Sequence, residues 1–382
     1  MKWTTAPLSE IATIERNSVS PTDIRSGSRY VGLDHIETGG GSIRFGSVTN
    51  GELASSKFQF GPNHILFGKL RPYLAKVVCP DFEGICSTDI IPIAPSKHVD
   101  KRYLLHFLRR PETIAWAAGR TTGVNLPRLS PRELASLEIQ FPSLDDQRRL
   151  GTILDRADIL RHKRKQALTL LKKLTDTLIA ELLDAPLNIE LGEVIAEGPT
   201  NGLYKPSKDY GKGVPILRIN SFYDGKIVDL LSLRRLSVTD AELSRFKLTN
   251  DDIVINRVNS LEYLGKSAIV RGLSEPTVYE SNMMRFSLKK SIMLPDVCIA
   301  LLQTPDTKQQ ILAKAKNAVN QSSINQRDVC GLRLALPAIE IQQRFVARME
   351  RIAALGAAVC VGEISLNTLF SSLQSRAFSG QL

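Results

Sequence analysis

Pro142-Ser143-Leu144-Asp145-Asp146-Gln147-Arg148-Arg149-Leu150 and Pro337-Ala338-Ile339-Glu340-Ile341-Gln342-Gln343-Arg344-Phe345 stand 195 residues apart in a chain of 382. Both read P-x-(L/I)-(D/E)-x-Q-x-R-(L/F). Working outward, Leu105–Thr113 returns as Ile299–Thr307 at offset 194, and His64–Lys69 returns as Asp252–Arg257 at offset 188. Nearer the start, Pro7–Ile11 returns as Glu190–Val194 at offset 183. Four pairings in one order, with a slowly growing offset, mark a tandem duplication.

Each half opens with short β-rich runs between turn residues. In the first these are Tyr30-Val31-Gly32-Leu33, Gly39-Gly40-Gly41, Ile65-Leu66-Phe67, Lys76-Val77-Val78 and Ile90-Ile91-Pro92-Ile93. In the second they are Pro215-Ile216-Leu217, Asp224-Gly225, Ile253-Val254-Ile255 and Ala268-Ile269-Val270. A short helix follows, Lys101–Arg110 or Pro295–Gln303, and a further strand leads to the Pro142 or Pro337 marker. The class is therefore α+β with a pseudo-twofold internal repeat.

A long helix should follow each marker. From Leu150 the apolar positions are Ile153, Ala157, Leu160, Ala167, Leu171, Leu174 and Leu178; from Phe345 they are Met349, Ile352, Val359, Leu366, Phe370, Leu373 and Ala377. Steps of three and four over about five heptads predict a coiled coil, most simply antiparallel. The alternative is that each helix covers its own domain's core.

Lys plus Arg number 50 against 39 Asp plus Glu, a formal charge of +11, which favours a polyanionic partner. No unbroken apolar run approaches the roughly 18 residues that span a bilayer, so a membrane role is not expected. Cys79, Cys86, Cys298, Cys330 and Cys360 are odd in number and scattered, which predicts free thiols in a reducing cytoplasm. His35, His64, His98, His106 and His162 have no zinc-ligand spacing. Nucleotide-binding glycine motifs and the (D/N)-P-P-(Y/F) sequence of amino-methyltransferases are missing from the sequence.

Two half-chain domains, each closed by P-x-(L/I)-x-x-Q-x-R and a long helix, resemble the specificity subunit of type I restriction-modification systems. Tyr30-Val31-Gly32-Leu33-Asp34-His35-Ile36, Phe67-Gly68-Lys69-Leu70-Arg71-Pro72-Tyr73-Leu74, Cys86-Ser87-Thr88-Asp89 and Gln374-Ser375-Arg376-Ala377-Phe378-Ser379-Gly380 carry the likeness, which covers the whole chain. The second half departs from it: Asn256-Arg257-Val258-Asn259 replaces Gly68-Lys69-Leu70-Arg71, and Ser281-Asn282-Met283 replaces Ser87-Thr88-Asp89.

The resemblance implies two target recognition domains, 1–143 and 186–338, separated by long helices, 144–185 and 339–382, that act as spacers and methyltransferase docking sites. Each domain would bind one part of a split site on double-stranded DNA. Methyltransferase subunits, two of them, and restriction/translocase subunits would join, and S-adenosylmethionine, ATP and Mg would belong to those partners. This chain would do no chemistry and hold no cofactor or metal.

Residue types and placement nominate DNA contacts. Lys69, Arg71 and Tyr73 follow a strand, and Arg120, Thr121, Thr122 and Asn125 lie in a polar glycine-containing loop. The same places in the second half hold Asn256, Arg257 and Asn259, then Asn320, Gln321, Ser322 and Asn325. Arg suits guanine, and Asn or Gln suits adenine, by bidentate geometry. The first long helix is basic, with Arg148, Arg149, Arg156, Arg161, Lys163, Arg164, Lys165, Lys172 and Lys173 against Asp155 and Asp158. It reads equally as a face toward DNA, toward an acidic partner, or toward solvent. A helix of about 35 residues is roughly 52 Å long, more than the roughly 34 Å of one duplex turn, so an unread gap between half-sites is expected.

Two other classes remain open. Pro295-Asp296 with Asp306-Thr307-Lys308 fits the loose carboxylate–carboxylate–lysine pattern of metal-dependent nucleases. Against it, the intervening residues look helical, and Pro-acid-Thr at 111–113 and 305–307 reads as a helix start. The other class is a free-standing DNA-binding regulator.

Overall fold

A computed structural model of the chain describes residues 3–49, 51–318 and 321–382. The chain divides into two compact units, residues 1–168 with 358–382, and residues 169–357.

In the first unit, Thr4–Pro7 pairs antiparallel with Glu138–Phe141. A four-stranded sheet follows in the order Ala12–Ile14, Ile90–Pro95, Ile65–Gly68, Val77–Val78. A five-stranded sheet runs Ser18–Val19, Lys57–Phe60, Gly84–Cys86, Arg29–Val31, Gly46–Ser47, with Arg29–Val31 parallel to Gly84–Cys86. The apolar run Ile65-Leu66-Phe67 is buried on both faces. Ile65 and Phe67 meet the helices through Tyr103 and Leu104, while Leu66 meets Val31, Phe58 and Cys86. A strand covered on both sides reads as continuous rather than alternating hydrophobicity.

The second unit repeats this frame. Asn188–Glu190 pairs with Arg333–Ala335. A six-stranded sheet contains Ile195–Asn201, Met283–Leu288, Ile253–Asn256 and Ser267–Ile269 in the order of their four counterparts, then Gly225–Ile227 and Phe222–Tyr223. Ile253 and Ile255 face the helices and Val254 the opposite cluster, the same division as at 65–67. The predicted Asp224-Gly225 turn joins Tyr223 to Lys226 with φ of 49° and 77°, a two-residue hairpin of the twist that Asp-Gly favours. Register corrects one sequence pairing. Ile90 sits opposite Gly68 and Met283 opposite Asn256, so Ser87-Thr88-Asp89 corresponds to Glu280-Ser281-Asn282, one residue earlier than the side-chain likeness of 281–283 suggested.

The helices Lys101–Leu108 and Pro111–Ala118 recur as Pro295–Leu302 and Pro305–Lys314, with proline in the first turn of three of the four. The repeated marker glutamine is structural. Gln147 is buried; its Oε1 accepts from the Asp100 N–H at 2.8 Å, and its Nε2 donates to the His98 and Pro142 carbonyls at 3.3 and 3.0 Å. Gln342 repeats the clamp: the Leu294 N–H at 2.8 Å, and the Ile292 and Pro337 carbonyls at 2.8 and 2.9 Å. Asp100 and Leu294 are the N-cap residues of their helices, so each glutamine fastens the head of a long helix to the head of a short one.

The two long helices, Leu144–Leu183 and Ile339–Phe378, span 40 residues each. Within the first unit they run antiparallel: Arg149 donates to the Leu382 carbonyl at 3.0 Å and Arg161 to Asn367 Oδ1 at 2.8 Å. There Leu150, Leu154, Ala377 and Phe378 enter the domain core. In the second unit Leu178, Leu182 and Phe345 enter the other core, and Arg348 pairs with Glu181 at 3.1 Å. The expected seam is not buried along its length. Leu160 and Leu174 are 50% and 47% exposed, while Met349, Ile352, Val359, Leu366, Phe370 and Leu373 are half-buried. Both sequence alternatives thus hold, in different stretches: the helix ends cover domain cores, and most seam positions between them are half-buried.

One expectation about apolarity needs correction. An 18-residue window of Ile339–Phe378 has mean hydropathy 1.6, and none of it is buried, so by length and composition this helix is able to cross a membrane. No unbroken apolar run marks it, because Gly356, Gly362, Glu363 and Asn367 interrupt the stretch.

The five cysteines are free thiols, and burial pushes Cys79 up to about 11 and Cys86 up to about 12.

Candidate nucleic-acid interface

The chain leaves strand Ile65–Gly68 through Lys69 and Leu70 into a tight turn. Arg71 adopts the left-handed region (φ 51°, ψ 60°), Pro72–Leu74 forms one 3₁₀ turn, and Ala75 is again left-handed at φ 49°. Two non-glycine residues at positive φ make this a strained connection, held by its surroundings. The Arg71 N–H donates to the Pro127 carbonyl at 2.8 Å, and the Lys69 carbonyl accepts from the Leu129 N–H at 2.9 Å. Arg71 and Tyr73 keep their side chains exposed.

Those partners lie on the strand that pairs with the second nominated segment, or just before it. Thr121–Thr122 and Arg128–Leu129 pair as a short antiparallel hairpin, with Thr122 opposite Arg128 and Thr121 opposite Leu129. Leu129 is fully buried, so Thr122 and Arg128 share the outward face. Asn125 is exposed at the tip beside Val124, which is 99% exposed. Arg120 lies over Trp116 at 4.6 Å and 3.9 Å from Glu133. All seven residues nominated in the first half therefore belong to one turn and one hairpin joined by backbone hydrogen bonds.

The second unit builds the same junction. The Arg257 carbonyl accepts from the Ile324 N–H at 2.9 Å, as Lys69 does from Leu129. Val258–Asn259 pairs with Gln321–Ser323, which also pairs with Lys316–Ala318. The Arg257 N–H donates to the Asn282 carbonyl at 2.9 Å, and the Lys69 N–H to the Asp89 carbonyl at the same distance. Gln321 is exposed, while Asn320 lies outside the described residues.

Two second-half nominations, Asn256 and Ser322, are corrected as buried, and Asn325, Asn259 and Arg257 have partners within the protein. Asn256 is fully buried, and its Nδ2 donates to the Tyr263 carbonyl at 3.4 Å. It ends a strand covered on both faces, so its amide points into protein. Ser322 is also buried. The Asn325 side chain caps helix Gln326–Cys330, accepting from the Asp328 N–H at 3.1 Å, the place held by Ser130 in the first unit. Asn259 turns its Oδ1 to the Ser260 N–H at 2.9 Å. Arg257 is partly buried and donates to the Ser281 carbonyl at 3.3 Å.

Two features were not legible beforehand. Arg128, at the base of the first hairpin, forks onto Asp89 through Nε–Oδ1 at 2.9 Å and Nη2–Oδ2 at 3.4 Å. In the second unit Lys266 sits over Tyr223 at 4.0 Å and Tyr263 at 5.3 Å, and burial holds its ammonium below the usual lysine range. Its carbonyl accepts from the Asn256 N–H, which places it beside the junction. Arg128 stands apart from the glycine-containing loop that drew the nominations, and the aromatic partners of Lys266 come from separate segments.

Part of the basic run on the first long helix is committed within the first unit. Arg161 donates to Asp158 and lies 4.3 Å over Phe370, Arg164 packs against Gly362, and Lys165 pairs with Glu37. Asp155 turns inward to the buried His106 at 2.7 Å, and Asp158 to Arg109 at 3.1 Å. The nuclease triplet is dispersed among separate duties. Arg271 grips Asp296 at 2.6 and 2.8 Å, Gln310 donates to Asp306 at 2.9 Å, and Lys308 donates to the carbonyls of Leu261, Glu262 and Leu264.

Residues 1–170 match the family model of the type I restriction modification DNA specificity domain. The chain is 23% identical over 426 residues to the type I restriction enzyme EcoKI specificity subunit of Escherichia coli (strain K12), covering 100% of this chain and 89% of that protein. It is 25% identical over 362 residues to the EcoBI specificity subunit of Escherichia coli, covering 84% and 74%. Among solved structures, the type I restriction-modification system S subunit from M. genitalium superposes with TM-score 0.62 at 13% identity, over 99% of this chain and 96% of that one. A chain solved in a study of type I system assembly and conformational transition superposes with TM-score 0.55 at 20% identity, over 100% and 98%. Residues 1–170 thus match a type I restriction modification DNA specificity domain, and along its whole length the chain is similar to specificity subunits of type I restriction enzymes.

Proposed function

We propose that this chain reads a bipartite site on double-stranded DNA and directs the other subunits of a type I restriction-modification complex to it. One observation carries the reading. The same backbone junction, a strand-end turn hydrogen-bonded to a hairpin, is built in both units and furnished with different side chains. An equal frame with unequal side chains is what two half-sites of different sequence require.

The chain itself is non-catalytic. Methyltransferase subunits, two of them, dock on exposed apolar residues of the long helices, such as Val361 and Ile364 in the first unit, 67% and 69% exposed. A bilayer is a poor occupant of that surface, because Arg161 and Arg164 pack against the same stretch of the second helix. Restriction/translocase subunits complete the complex, and S-adenosylmethionine, ATP and Mg are bound by the partners, in a cytoplasmic location. Genome-wide mapping of methylated adenines, with the gene present and deleted, tests the proposal. A single bipartite motif that vanishes on deletion is the expected result; no gene-dependent motif overturns it. Purification from the native cell without a methyltransferase would instead favour a free-standing regulator.

A further inference from the structure

We propose that Arg128 reads a guanine in the half-site of the first unit, and that Asp89 positions it for that contact. The inference rests on the chain being a DNA-reading subunit, and it adds a residue and a base.

The Arg128 guanidinium has two hydrogen-bonding edges. Its Nε/Nη2 edge is taken by the Asp89 carboxylate at 2.9 and 3.4 Å, which leaves the terminal Nη1/Nη2 edge uncommitted. That remaining pair of parallel N–H groups matches the O6 and N7 acceptors that guanine shows in the major groove. A carboxylate on one edge fixes the plane of the other, so less rotamer freedom is lost when a base is engaged.

Asp89 is itself fixed. Its N–H donates to Ser87 Oγ at 3.2 Å, its carbonyl accepts from the Lys69 N–H at 2.9 Å, and its side chain is three-quarters covered. Arg128 is 40% exposed, on the outward face of the hairpin beside Thr122 and across an isolated bridge from Leu70. A two-stranded ribbon of this width enters a major groove, and Arg71 and Arg120 flank it with positive charge for the phosphates.

The second unit lacks the pair. By register Ser323 occupies the place of Arg128, opposite Val258 as Arg128 is opposite Leu70, and Asn282 occupies the place of Asp89. An ion pair needed to hold the junction together would be needed in both units. Its restriction to one marks a feature of what that unit reads.

The test uses the assembled modification complex in its host, with methylated adenines mapped for the unaltered chain, Arg128→Ala, Arg128→Gln and Asp89→Asn. The unaltered chain should require guanine at one position of one half-site. Both Arg128 variants should relax that position alone, losing about 10- to 100-fold discrimination, with the other half-site unchanged. Asp89→Asn should relax the same position partway. Glutamine retains a donor to Asp89, so Arg128→Gln keeps the test decisive if the alanine variant does not fold. A complete motif methylated less often by the variants means a structural staple and overturns the inference, as does relaxation at a position that is not guanine. Absence of any chain-dependent motif in the unaltered strain overturns the DNA-reading function itself, a distinguishable failure.

Discussion

A single glutamine at the head of each long helix satisfies three backbone groups that would otherwise be buried without partners. Gln147→Ala and Gln342→Ala should each lower stability by about 1–3 kcal/mol in urea unfolding. Restoration of full stability by the alanine variants in either unit would show that the clamps contribute nothing. The marker motif was visible in the sequence because the same buried geometry is needed twice, whereas its meaning was not. Asn256 and Asn325 illustrate the converse. An amide suits adenine, a helix cap and a buried strand end equally well, and residue type alone does not say which applies. Arg128 escaped notice because its importance lies in a contact with Asp89, 39 residues away in sequence.

At the scale of elements, the short helices, the central strands and the two 40-residue helices follow the order that the repeat implied. Periodicity gave the long helices and their half-buried seam correctly, but a step of three and four marks an apolar face without saying what else covers it. Where a helix end does enter a core, the contribution is large. Phe378 packs on Tyr103 and Phe107 at ring distances of 5.2 and 5.5 Å, beneath Arg110 at 4.9 Å. Phe378→Ala should destabilise the first unit by about 3–5 kcal/mol, read as a shift of its unfolding transition. The exposed middle behaves differently. Val361→Ser with Ile364→Ser should leave stability of the isolated chain within about 0.5 kcal/mol per site and weaken capture of the methyltransferase subunit. Unchanged capture in pull-down titrations would assign that surface another use.

At the scale of the whole molecule, duplication explains why one frame occurs twice, and divergence on that frame explains why the two junctions carry different side chains. Inserting one helical turn into both long helices should widen the unread gap of the methylated motif without altering either half-site. A gap of unchanged length would separate helix length from site spacing. The division of the chain bears on its synthesis as well. The second unit is one continuous segment, 169–357, whereas the first closes only when residues 358–382 join residues 1–168. On the ribosome the later-made unit has all its parts first. Polymerisation at about 5–20 residues per second leaves the earlier segment waiting roughly 10 to 40 s for Ala377 and Phe378 to complete its core. The C-terminal segment thus completes the first unit last, and until it is made the places of Ala377 and Phe378 in that core stay unfilled.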